Sequence, residues 1–67
     1  MKILEGKIIK FYRELQQLRQ KDLVEGVCST THISKIERGQ TEASGETVEL
    51  ISERLGIDMH EQLKIYA

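Results

Sequence analysis

The 67-residue sequence contains no proline, one cysteine, one phenylalanine and two tyrosines. Leucine, isoleucine and long polar residues dominate instead, and this composition favours helices over strands. A single cysteine excludes an internal disulfide and a cysteine-rich metal site, which fits a reducing cytosol. We expect Cys28 to be a small buried apolar residue with an unreactive thiol.

Long apolar runs are also absent. No stretch approaches the ~20 apolar residues that cross a bilayer, and no basic segment followed by an apolar one opens the chain. We therefore expect a soluble, cytoplasmic protein. A chain this short forms one domain and buries only about 60% of the surface that its unfolded form exposes, so its core must be compact.

No set of residues indicates catalysis. His32 and His60 are far apart in the sequence, and neither has a cysteine or carboxylate at metal-ligand spacing. Asp58, close to His60, is better explained as the start of a helix. Ser29 and Ser34 lie on or beside one helix, without the strand-to-helix turn of a nucleophile elbow. We expect no enzyme, no cofactor and no metal site.

Charge is unevenly distributed, although the net charge is only -1. Residues 1–41 carry eight cations and five anions, a net +3, whereas residues 42–67 carry two cations and six anions, a net -4. The division indicates a basic working face and an acidic back. Two ordinary solvated surfaces are the alternative explanation.

Apolar residues recur at helical spacing through the chain. Ser29 and Ser44 are suited to cap the first amides of two helices, and Gly26, Gly39 and Gly56 are suited to end helices. The predicted helices cover about 3–17, 20–25, 30–38, 45–55 and 59–66. The sequence therefore predicts an all-α domain over residues 1–67.

Helices 2 and 3 are joined by a turn over residues 26–29, which is too tight for them to lie antiparallel. This is the outline of a helix-turn-helix, which places its second helix in a major groove. On helix 3, Ile33 and Ile36 face inward. The outward residues are Thr30, Thr31, Ser34, Lys35 and Arg38.

These segments also carry a family resemblance. The stretch "GKIIKFYRELQQLRQKDLVEGVCSTTHISKIERG", followed by "ETVELISERLGI", resembles the Cro/repressor (XRE) type of helix-turn-helix domain. The most specific piece is "ISKIERG", placed after Gln20 and Leu23. The turn is one residue shorter than the commonest spacing in the family. The stretch "EGVCSTTHISKIERG" is most similar to the DNA-binding domains of the PlcR, NprR and Rgg group of peptide-pheromone regulators.

The resemblance implies a five-helix, lambda-repressor-like fold in which Thr30, Thr31 and Lys35 face base edges, with Ser34 and His32 alongside. A threonine methyl can contact a thymine methyl, and lysine can reach guanine or phosphate. These residue types do not define a target sequence. Shape and deformability of the DNA can supply part of the specificity.

Other positions are expected to contact the DNA backbone. The resemblance implies that Gln20 meets a phosphate and braces the reading helix, and Arg19, Lys21, Arg38 and Lys10 are further candidates. For each cation the alternative is a solvated surface charge. The family usually has Thr or Ser at the position of Arg19, and losing that cap costs about 1 kcal/mol. Either DNA contact compensates, or helix 2 frays in the free protein.

Two further features need an explanation, one in helix 3 and one in helix 1. Glu37 lies in the last turn of helix 3, where an acid opposes the helix dipole; the resemblance implies an ion pair with Arg13, and an exposed Glu37 is the alternative. Ile8, Phe11 and Leu15 form an apolar stripe beyond the usual core face. We expect this stripe to pack under helix 5, with any remainder docking a second subunit or a regulatory domain.

The resemblance implies transcriptional regulation through double-stranded DNA, read as two-fold related half-sites by a homodimer. In the pheromone regulators a peptide binds a helical-repeat domain, which nothing in this sequence represents. The alternative function is a protein-interaction module of the same fold that does not bind DNA. The two differ in whether Arg19, Lys35 and Arg38 make the surface around helix 3 basic.

Overall fold

The computed structural model describes the backbone of residues 2–66 and the side chains of residues 4–65. Over that part of the chain there are five helices and no strand, which confirms the predicted all-α class. The helices are α1 (Lys2–Leu15), α2 (Gln20–Val24), α3 (Thr30–Glu37), α4 (Gly45–Leu55) and α5 (Met59–Tyr66). The predicted domain range also includes Met1 and Ala67, which lie outside the described residues.

Helix α1 ends at Leu15, two residues before the predicted end. The Leu18 N–H donates to the Arg13 carbonyl at 2.9 Å, and the Gln17 N–H donates to the Glu14 carbonyl at 3.0 Å. This pair of bonds is a Schellman closure, which needs a left-handed residue. Gln17 takes that conformation with φ +58°, although glycine usually occupies the position. The predicted ends of helices 2 and 3 are each one residue too long.

The predicted caps are present. The Ser29 Oγ accepts a hydrogen bond from the His32 N–H at 3.1 Å, and the Ser44 Oγ accepts one from the Thr47 N–H at 3.2 Å. Each bond satisfies an amide that the first turn of a helix leaves free. Left-handed glycines follow α2, α3 and α4 at Gly26, Gly39 and Gly56.

One apolar core is shared by all five helices. Helix α1 packs against α3, α4 and α5, while α2 packs against α3 and α4. Fully burying each large aliphatic side chain is worth about 1.5–3 kcal/mol. The buried apolar residues are Ile8, Ile9, Leu23, Val24, Ile33, Ile36, Ala43, Val48, Ile51, Leu55 and Met59.

Helix α1 comes close to the backbone of α3 at Gly6, which is buried. A methyl group on Gly6 would overlap the carbonyl oxygen of Ile36 and lie 3.0 Å from its carbonyl carbon. Only glycine therefore fits there without moving one of the two backbones. Because Ile36 belongs to α3, this contact sets how deeply α3 is seated against α1.

The apolar stripe of α1 is divided. Ile8 is buried, but Phe11 is 50% exposed and Leu15 is 65% exposed. The prediction that the stripe packs under helix 5 is therefore wrong for Phe11 and Leu15. Helix α5 meets α1 through Tyr12, whose hydroxyl donates to the Gln62 Oε1 at 2.7 Å. Tyr12 also meets the Phe11 ring edge to face, with 5.1 Å between ring centroids.

Candidate nucleic-acid interface

Helices α2 and α3 form one compact unit. The Val24 carbonyl accepts hydrogen bonds from the N–H groups of Val27 at 2.8 Å and Cys28 at 3.1 Å, which closes the end of α2. Gly26 then reverses the chain with φ +78°. Ser29 starts α3 directly afterwards as its N-cap. The turn is therefore short and is fastened at both ends, by the Val24 carbonyl and by the Ser29 cap.

Helix α3 has one polar, accessible face. At about 100° per residue, its candidate contact residues fall within an arc of about 140°. Four of them are exposed and Ser34 is half-buried; the set is Thr30, Thr31, Ser34, Lys35 and Arg38. The opposite side is buried through Ile33, Ile36 and Glu37. His32 lies between the two sides and is half-buried.

Glu37 is the centre of a network that fixes α3 in place. Arg13 donates from Nε to Glu37 Oε2 at 2.8 Å and from Nη2 to Glu37 Oε1 at 3.0 Å. Gln20 Nε2 donates to the same Oε1 at 3.1 Å. The Glu37 side chain is only 3% exposed and that of Arg13 13%, so Glu37 is not a surface acid. The hydrogen bond to Glu37 is the main cause of a raised pKa for the Arg13 guanidinium.

The network reaches three helices and the loop after α1. A third donor of Arg13, Nη1, bonds the carbonyl of Leu18 at 2.9 Å, just before α2 begins. Gln20, the first residue of α2, braces α3 directly through Glu37. An amide nitrogen carries two hydrogens, so Gln20 retains one N–H for a further acceptor. The residues expected to orient α3 are thus in mutual contact.

The start of α2 has a partner that the sequence interpretation did not include. The Asp22 carboxylate accepts the Arg19 backbone N–H at 3.3 Å and the Arg19 guanidinium at 3.0 and 3.2 Å. A guanidinium cannot accept hydrogen bonds, so this is only the returning half of a capping box. The sequence suggested that helix 2 either frays or is held by DNA contact, and these bonds to Asp22 are a third possibility. These bonds lower the pKa of Asp22 and raise that of Arg19.

The other candidate cations differ in how free they are. The Arg38 Nε donates to the Ser34 carbonyl at 3.2 Å, at the exposed end of α3. Lys10, Lys21 and Lys35 are exposed. Among the residues whose side chains are described, no carboxylate forms an ion pair with these three lysines. Their ammonium groups are therefore available to an external anion, whereas Arg19 must first leave Asp22.

Two further residues tie helices together and were missed in the sequence, and one of them, Arg54, reaches α2. Arg54 of α4 donates from Nη1 to the Leu23 carbonyl at 3.0 Å, near the end of α2. Gln16 donates to the Leu55 carbonyl at 2.7 Å, at the end of α4. Both bonds satisfy carbonyls that a helix end leaves free. The available signal for Arg54 was that it is the only cation of α4.

Other kinds of site find little support in the described residues. Side chains of residues 4–65 form no group of three or more potential metal ligands. None of the helices described has the length and apolar character needed to cross a membrane. Cys28 is half-buried, so the prediction of a buried residue is wrong in degree. Its partial burial still raises the pKa of its thiol, which lowers its reactivity at neutral pH.

Comparison with known proteins gives one family. A family model described as helix-turn-helix matches residues 9–62, which is most of the chain and includes all of α2, the turn and α3. Neither a curated protein nor a solved structure matches the chain significantly.

Proposed function

Because this chain belongs to the Cro/repressor type of helix-turn-helix family, whose fold is that of DNA-binding transcription regulators, we propose that it binds double-stranded DNA sequence-specifically, in the cytoplasm. In this proposal α3 lies in the major groove. The observation that carries it is the division of α3 into an exposed polar face and a side held by Glu37, Arg13 and Gln20.

The proposed base contacts come from the exposed face of α3. Thr30 and Thr31 lie in its first turn, where the family reads base edges, and Ser34 and Lys35 lie one turn further on. The threonine side chains offer a methyl and a hydroxyl, and Lys35 offers three N–H donors. None of these is a bidentate contact. We therefore propose modest discrimination from each base, supplemented by DNA shape.

The proposed phosphate contacts position the domain. Lys21 lies in the first turn of α2 and is unpaired among the described residues, while Gln20 retains one N–H. Arg38 directly follows Glu37, the residue that Gln20 contacts, so both groups lie at the C-terminal end of α3. Arg19 would join them only by exchanging Asp22 for a phosphate. Such contacts weaken as salt concentration rises, because protein binding releases the counterions condensed on the DNA phosphates.

A matched pair of lysine variants tests the proposal. Lys35→Ala and Lys64→Ala remove the same charge from exposed positions, but Lys64 lies on α5, which packs on α1 and α4. We expect Lys35→Ala to weaken binding to a fluorescent duplex about fivefold or more, which corresponds to about 1 kcal/mol, and Lys64→Ala to have little effect. Fluorescence anisotropy at low salt measures both.

Two outcomes would count against the proposal. Equal weakening by both lysine variants would mean that binding follows net charge and not α3. No binding at low salt would favour the alternative, a protein-interaction module of the same fold. The net charge of -1 and the exposed Phe11 and Leu15 are the observations that favour that alternative.

We also propose that the DNA-bound form is a homodimer. A single module of this size buries only about 600–1,000 Å² of protein surface when it binds DNA. Binding of two subunits to two-fold related half-sites increases the affinity. Phe11 and Leu15 are the candidate contact between subunits. Phe11→Ser should reduce self-association in sedimentation velocity without unfolding the domain, and unchanged self-association would exclude this patch. Control by a peptide would need a further domain, as in the pheromone regulators.

A further inference from the structure

A second surface lies away from the exposed face of α3. Helices α4 and α5, with the start of α1, enclose an open groove of about 720 Å³. Its base is apolar: Val48 and Met59 are buried, and Ile57 and Leu63 are half-buried. Its rim includes the exposed carboxylates of Glu49, Glu53 and Asp58. The groove thus combines an apolar base with an anionic rim.

The rim charge is not neutralised within the described part of the chain. Among the residues with described side chains, no cation pairs with Glu49 or Glu53. Arg54, the only cation of α4, is turned toward the Leu23 carbonyl and does not line the groove. Asp58 accepts the His60 N–H at 3.0 Å, which leaves the negative charge of its carboxylate in place. The rim therefore presents a negative field beside the half-buried apolar side chains of Ile57 and Leu63.

We propose that this groove docks a basic, amphipathic segment of a partner protein, with apolar side chains on Met59 and Leu63 and lysine or arginine side chains along Glu49 and Glu53. Charge complementarity selects this occupant. Nucleic acids and anionic membranes carry the same sign as the rim and are repelled by it. Methionine is flexible and adapts to differently shaped apolar side chains, and helices bind such grooves through apolar anchors at helical spacing.

The groove and the DNA-contacting residues do not overlap. No residue of α2 or α3 lines the groove. The domain can therefore hold the partner segment whether or not DNA is bound. The inference goes beyond DNA binding and does not depend on it.

An NMR titration without DNA tests the inference. The probe is a synthetic peptide of about 14 residues that carries leucine and lysine on opposite faces of a helix. A second peptide with the same composition in shuffled order lacks a continuous apolar face. We expect the first peptide to shift the amide signals of Val48, Ser52, Ile57 and Leu63, and the shuffled peptide to bind more weakly.

Matched variants separate the groove from overall charge. Glu49→Gln with Glu53→Gln removes two rim charges, and Glu25→Gln with Glu42→Gln removes two exposed charges outside the groove. We expect about fivefold weaker peptide binding for the first pair and little change for the second, because each rim pair contributes modestly. Circular dichroism checks that both variants are folded.

Three results would overturn the inference. Equal weakening by the two double variants would mean diffuse charge attraction. Shifts centred on Phe11 and Leu15 would assign the peptide to the other apolar patch. No shifts at about 1 mM peptide, the upper end of useful affinities, would show that the groove does not bind this class of segment.

Discussion

Replacing Arg13 by methionine is predicted to destabilise the domain severely, because it leaves the buried Glu37 carboxylate without a cation. The variant loses two hydrogen bonds to Glu37 and one to the Leu18 carbonyl. Only Gln20 would still donate to Glu37, whose side chain is 3% exposed. Removing one partner of a buried ion pair typically costs about 3–5 kcal/mol.

That cost is comparable to the total stability expected for the domain. At about 0.05–0.15 kcal/mol per residue, a chain of this length has about 3–10 kcal/mol of unfolding free energy. Arg13→Met should therefore lose between about a third and all of that free energy at 25 °C. Because the network holds α3, the same variant should also lose DNA binding.

The double variant Arg13→Met with Glu37→Leu separates charge from packing. It leaves neither charge buried, so its cost should be smaller than that of Arg13→Met alone. Urea unfolding followed by circular dichroism gives the free energy of unfolding for each single variant and for the double variant. A cost below about 1 kcal/mol for Arg13→Met, or fully additive single costs, would refute the network as the anchor of α3.

Three further predictions concern single sites. Gly6→Ala should cost about 1–3 kcal/mol despite a gain of up to about 1 kcal/mol in helix propensity, because the methyl group meets backbone. The control variant Gly45→Ala places its methyl group in open space and should be neutral or stabilising. Equal changes in melting temperature for Gly6→Ala and Gly45→Ala would contradict the close approach of Gly6 to Ile36. Asp22→Asn keeps an acceptor for the Arg19 N–H but frees the guanidinium, so DNA binding should tighten and its salt slope should steepen by up to about 1. The tighter DNA binding should disappear when Arg19 is also replaced by alanine. If it persists, the loss of the Asp22 charge acts on DNA directly and not by releasing Arg19. Burial raises the pKa of the Cys28 thiol, so at neutral pH the folded protein holds less thiolate than the unfolded chain. Iodoacetamide should therefore label Cys28 more slowly in the folded protein than in the unfolded chain, and the labelling rate of the folded protein should still rise above the pH at which an ordinary thiol ionises. Equal labelling rates for the folded and unfolded protein would contradict this.

Local signals predicted most of the helix boundaries. Ser29 and Ser44 act within one turn of their own helix, and a left-handed glycine follows α2, α3 and α4. Such contacts depend on neighbouring residues, so they are visible in the sequence. The end of α1 was missed because Gln17, not glycine, takes the left-handed conformation.

Long-range contacts were predictable only where the family resemblance supplied them. The Arg13–Glu37 pair was expected from the resemblance, and the two residues are in contact. The contact of Gly6 with Ile36 and the bond from Arg54 to Leu23 depend on how distant helices cross, which periodicity does not encode. For the same reason, the pattern could not show which part of the α1 stripe α5 leaves exposed.

The proposed DNA-binding surface is the exposed face of α3. An amide-shift titration of the labelled domain with a mixed-sequence duplex, at about 50 and 200 mM salt, tests it most directly, since phosphate-dominated binding should weaken by orders of magnitude over that range. We expect salt-sensitive shifts centred on Gln20 and on residues 30–35. No shifts at low salt, or shifts confined to α4 and α5, would contradict it.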